Sequence, residues 1–132
     1  MKKTIFVFSM AAIVMLSSLT ALAYNYKFSF DMNTGLFHGA VYTDYAYKYT
    51  NDEAAVIDVD HVESSVRANF MVVNSGGDQR SDIFTTRNGG THVFETGYGM
   101  AQNHQYRVKA WTNDGSWYNK YNVTGAWNPD SY

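Results

Sequence analysis

The chain has 132 residues, ten basic and twelve acidic side chains, a net charge of −2 with histidines neutral, and no cysteine. That length is one domain's worth, and the missing cysteine excludes a disulfide framework and a cysteine-ligated zinc site. A mildly acidic balance excludes general nucleic-acid binding, which rests on neutralising phosphates.

Lys2 and Lys3, the apolar run Ile5–Leu16 and the small residues of Ala21-Leu22-Ala23 form the three parts of a secretory signal peptide. A membrane-spanning helix needs about 20 apolar residues, and Ser17, Ser18 and Thr20 end this run too early. The expectation is a signal-peptide helix over 1–23, cleavage after Ala23, no stable membrane anchor, and a secreted domain over 24–132. Without Lys2 and Lys3 the mature chain carries eight basic against twelve acidic side chains, a net of −4. A domain of this size without staples depends on packing for its stability. The lack of cysteine fits export by a Gram-positive bacterium.

The mature segment has one leucine, Leu36, against ten valines and twenty aromatic residues. β-Branched and aromatic side chains favour strands over helices. Tyr24, Tyr26, Phe28 and Phe30 alternate with Asn25, Lys27, Ser29 and Asp31; Tyr45, Tyr47 and Tyr49 alternate with Asp44, Ala46, Lys48 and Thr50. Val66, Ala68, Phe70 and Val72 alternate with Ser65, Arg67 and Asn69, and Tyr106, Val108 and Ala110 alternate with Gln105, Arg107 and Lys109. Each run predicts a strand with its apolar members inward and its polar members in water. The Asn/Gly clusters at 33–35, 74–77, 88–90 and 113–115 are turn signals between the runs. The prediction is an all-β fold, a single antiparallel β-sandwich or barrel-like roll of about seven or eight strands.

The segment Gln105–Trp127 predicts a terminal hairpin. A two-residue turn at Asp114-Gly115 sets Lys109 opposite Lys120, Val108 opposite Tyr121 and Tyr106 opposite Val123. The apolar pairs then share one face, as a correct register requires. The other face carries Arg107, Lys109, Trp111, Tyr118, Lys120 and Asn122, two rings among three cations. This face is the candidate binding platform for an anionic or sugar-like ligand. The bland alternative is cross-strand ring pairing that only reinforces the hairpin, at about 0.2–1 kcal/mol.

Asp58-Val-Asp60-His61-Val-Glu63 is the densest set of metal-ligand types. In a strand Asp58 and Asp60 share one face, with Val59 and His61 on the other, and Asp52 or Glu53 is a further oxygen source. Calcium asks for about six oxygens, commonly from a D-x-D-x-D-G loop, which is absent. Solvated charges that discourage edge pairing explain the cluster better, and no metal or cofactor is expected. His38, His61, His92 and His104 occur without a G-x-S-x-G nucleophile elbow, a phosphate-binding glycine loop or an H-E-x-x-H zinc motif. The expectation is a protein that is not an enzyme, a small hydrolase being the lesser alternative.

The signal peptide, the opening Tyr24-Asn-Tyr-Lys-Phe-Ser-Phe30 and the closing Tyr121-Asn-Val-Thr-Gly-Ala-Trp127 resemble a domain-of-unknown-function family of small secreted Gram-positive proteins. The resemblance covers the two ends of the mature chain and implies an exported, cysteine-free β protein with no catalytic residues to carry over. The functional expectation is a secreted binding protein whose partner is a cell-wall or surface polymer or another protein. The alternative is a bacteriocin-like antagonist.

Overall fold

The computed structural model describes residues 26–32, 39–52, 54–115 and 119–130, which form two antiparallel sheets packed face to face. The strands are β1 (Tyr26–Met32), β2 (Val41–Tyr42), β3 (Ala46–Tyr47), β4 (Val56–Val62), β5 (Ala68–Asn74), β6 (Phe84–Thr86), β7 (Gly90–Val93), β8 (Gln105–Thr112) and β9 (Tyr121–Asn128). Sheet A has the order β1-β9-β4-β7, and sheet B the order β2-β8-β5-β6, with β3 also paired to β8. The all-β expectation holds, as a sandwich of two open sheets. The described residues form nine strands, against the seven or eight expected.

Alternation places the core as expected in most strands. Phe28 and Met32 of β1, Ile57 and Val59 of β4, and Val123 and Trp127 of β9 meet Phe70, Val72, Val108 and Ala110 from sheet B. Phe28 bridges the sheets, its ring 6.3 Å from that of Phe70. A register shift between Val59 and His61 ends the simple alternation of β4. Val62 is buried in place of His61, which is exposed and does not share the face of Val59.

The run at Tyr45, Tyr47 and Tyr49 reverses the expectation. Ala46 and Lys48 point inward, at 1 % and 0 % exposure, while Tyr45 and Tyr49 are exposed. Burial of a lysine demands full compensation of its charge, and Lys48 has it. Its Nζ donates to the carbonyl oxygen of Pro129 at 2.7 Å, to Asp52 Oδ1 at 3.0 Å and to the carbonyl of Ala54 at 3.3 Å. Asp130 Oδ1 lies 3.5 Å away and also accepts from Thr50 N at 3.0 Å and Thr50 Oγ1 at 2.7 Å. The chain after β9 is thereby fastened to the chain after β3.

The predicted terminal hairpin is absent. β8 pairs with β2, β3 and β5 in sheet B, whereas β9 pairs with β1 and β4 in sheet A. The predicted turn partner of Asn113, Ser116, lies outside the described residues, and the Asp114 carboxylate is engaged elsewhere. Its Oδ2 accepts from Arg67 N at 3.1 Å and pairs with Arg87 at 3.0 Å, which ties the chain after β8 to the chain before β5. Lys109 has Tyr42 and Met71 as its cross-strand neighbours, not Lys120.

β9 runs between β1 and β4 with Gly125 opposite both Phe28 and Val59. A Cβ at Gly125 would meet the Asp58 carbonyl oxygen and, at 2.7 Å, the Phe28 ring. Gly125→Ala is therefore expected to lower stability by about 1–3 kcal/mol through overpacking, read as a reduced urea midpoint.

The Asp130 carboxyl gives a pH signature. Burial pushes it up, but hydrogen bonds from Thr50 and Tyr49 and the charge of Lys48 outweigh burial and hold it below its ordinary value of 3.8. Its contribution to stability is complete above that value and is lost as pH falls through the lower folded one. Asp130→Asn should cost about 3 kcal/mol at neutral pH, and urea unfolding at pH 7 and pH 3 should show the deficit shrinking in acid.

Candidate functional site

The outward face of sheet B is built from β8 and its neighbours. In β8 the even-numbered Tyr106, Val108, Ala110 and Thr112 are buried, which turns Arg107, Lys109 and Trp111 outward. Cross-strand pairing gives Asn69 beside Trp111, Met71 and Tyr42 beside Lys109, and Val73 beside Arg107.

The edge formed by β2 and β3 carries a one-residue bulge. Val41 and Tyr42 pair with Ala110 and Lys109, and Ala46 and Tyr47 with Tyr106 and Gln105. Three residues, Thr43 to Tyr45, thus stand opposite Arg107 and Val108. A bulge breaks parity, so Tyr42 and Tyr45 share the outer face although they are three residues apart. Thr43 points inward and completes the ladder: its N donates to the Val108 carbonyl at 3.0 Å, and its Oγ1 accepts from Val108 N at 2.9 Å. Oγ1 also donates to the Asp44 carbonyl at 3.0 Å.

The bulge makes a seat for Arg107. Its guanidinium carbon lies 4.1 Å from the centroid of the Tyr42 ring and 4.7 Å from that of Tyr45, a cation–π arrangement worth about 0.5–2 kcal/mol per pair. Lys109 Nζ lies 5.4 Å from the Trp111 ring. Arg107 Nε is buried with no hydrogen-bond partner among the described residues. Neither cation forms an ion pair among the described residues. Further along the same edge Tyr47 and Tyr49 pack ring to ring at 4.8 Å.

Of the sequence-derived site residues, the structure brings Arg107, Lys109 and Trp111 together on one face. Lys120 is exposed ahead of β9, the strand that belongs to the other sheet, and Tyr118 lies outside the described residues. Tyr42 and Tyr45 replace them as the aromatic partners. Sequence reasoning missed these two because strict alternation points Tyr45, Tyr47 and Tyr49 inward. The interior lysine between the last two is the signal that favours the opposite parity.

The acidic segment holds Asp58 and Asp60 exposed on β4, with Asp58 Oδ1 accepting from Thr91 Oγ1 at 2.9 Å. No group of three or more metal-ligand side chains occurs among the described residues. His92 Nε2 meets Asp82 Oδ2 at 2.9 Å and its ring stacks on Phe84 at 4.7 Å, which joins the β6 and β7 edges of the two sheets. Asp82 Oδ1 also accepts from Glu95 N at 2.7 Å. The neighbouring hydroxyl, Ser81 Oγ, serves Val72 N and the Asp82 carbonyl, so this pair acts as a clasp.

No family model matches the chain, and no curated protein matches it. Among the described residues no helix is long and apolar enough to cross a membrane.

The bulge is testable through Thr43. Thr43→Val should leave the buried Val108 N–H without its side-chain acceptor, at a cost of about 1–3 kcal/mol. Loss of the ring-current shift on the Arg107 Nε–H resonance would report collapse of the tyrosine seat.

Proposed function

We propose that this protein is an exported, non-enzymatic binding domain that acts by contact at or near a cell surface, with the outer face of sheet B as its contact surface. The observation that carries the reading is Arg107, lodged against Tyr42 and Tyr45 with no acidic partner among the described residues, beside Lys109 and Trp111. A cation ordered by two rings but left without a counter-charge is pre-arranged for something outside the chain. The exposed rings of Tyr42 and Tyr45 and the half-buried ring of Trp111 add contact area at small entropic cost. The remaining histidine–aspartate pair serves as a clasp between sheets. Export is supported by the three-part signal over 1–23, and the same face suits a cell-wall or surface polymer or a partner protein.

Isolated cell envelopes provide the test. The parent protein should be retained on them, and Tyr42→Ala combined with Trp111→Ala should reduce retention at least about tenfold while leaving the circular dichroism spectrum unchanged. Equal retention of parent and double variant removes this face as the contact surface.

A further inference from the structure

The acidic side chains of this net-acidic chain are largely engaged elsewhere. Asp52 and Asp130 meet Lys48, Asp82 holds His92, and Asp114 pairs with Arg87. Glu63 accepts from Asn122 N. Among the described residues, the outward positions of β2, β5 and β8 named above carry cations, rings and neutral groups, and Asp44 in the bulge forms no ion pair with Arg107 or Lys109. Arg107 and Lys109 are thus cations without an ion-pair partner among the described residues.

The chemistry left available to Arg107 is narrow. Tyrosine rings occupy its π surface and Nε is buried, so its terminal N–H edge is what it can still present. That edge is a planar set of donors whose natural complement is an oxyanion. Lys109 follows two residues along the strand, about 7 Å away, as a second point charge. Trp111 continues the row as a flat apolar surface.

We infer that the ligand of this face is an anionic polysaccharide, one acidic group docking on the free edge of Arg107 and a second meeting Lys109 while sugar rings lie against Trp111. This rests on the binding role given above and names its ligand. A nucleic acid fits less well. Its affinity comes from neutralising many phosphates, and here two cations sit on a chain whose net charge is −2.

The experiment compares binding of the purified protein to polygalacturonate, to the same polymer fully methyl-esterified, to poly-glutamate and to single-stranded oligo(dT). Polygalacturonate should bind best, weaken with added salt, and bind at least about tenfold more tightly than its ester. Arg107→Lys keeps the charge and loses the planar fork, so it should weaken polygalacturonate binding about tenfold, the effect of one charge-assisted hydrogen bond. Equal binding of acid and ester, an unaffected Arg107→Lys variant, tighter binding of poly-glutamate or oligo(dT), or no binding to polygalacturonate each overturns the assignment. The envelope experiment separates the two levels. Retention that depends on Tyr42 and Trp111 without polygalacturonate binding sinks only the ligand class, whereas equal retention of parent and double variant, or no retention of the parent, sinks the binding role as well.

Discussion

The inward-facing ammonium of Lys48 governs more of this molecule than its position after a two-residue strand suggests. Because it points into the protein, where Pro129, Asp52, Ala54 and Asp130 surround it, the residues of opposite parity must point out. Those residues are Tyr45, Tyr47 and Tyr49. A buried cation is stabilised only when its partners are all in place, so the parity of this edge is fixed by electrostatics and not by apolar character. The aromatic surface is the other side of the same decision.

The bulge at Thr43 to Tyr45 then converts a row of tyrosines into a seat. In an uninterrupted strand Tyr42 and Tyr45 would face opposite ways. With the extra residue they share one face and meet the guanidinium of Arg107, while the Thr43 hydroxyl takes over a ladder bond to Val108. Local irregularity re-aims side chains without opening a gap in the core, a common use of bulges at sheet edges.

Much of the architecture was legible in the sequence because burial follows alternation when one face of a strand is dry. Phe28 in β1, Ala68, Phe70 and Val72 in β5, and Tyr106, Val108 and Ala110 in β8 read correctly, whereas Asn69, expected in water, is buried. Pairing did not read correctly, for a physical reason. Val108, Tyr121, Tyr106 and Val123 all belong to one core, and inward-facing apolar residues look the same whether their two strands pair in a hairpin or lie in opposite sheets. Periodicity reports which side of a strand is buried and is silent on which strand lies beside it. The candidate site was half legible for the same reason: Arg107, Lys109 and Trp111 follow from the parity of β8 alone, while Tyr42 and Tyr45 depend on a bulge and a buried lysine that alternation cannot express. The exposure of His61 has a similar origin in the register shift of β4.

The place of β9 in the connectivity has a consequence for how the chain reaches its native state. β1 has β9 as its strand partner, with Tyr26 opposite Trp127, and β4 meets β9 on the opposite edge. β4 can pair with β7 as soon as residues 90–93 are present, but β1 joins the sheet only through residues 121–128 of β9. Such distant pairings fold slowly. Strand order therefore makes the first strand of sheet A the one that must span the greatest distance along the chain to find its neighbour, a loop-closure cost that sheet B and the β4–β7 pair do not share.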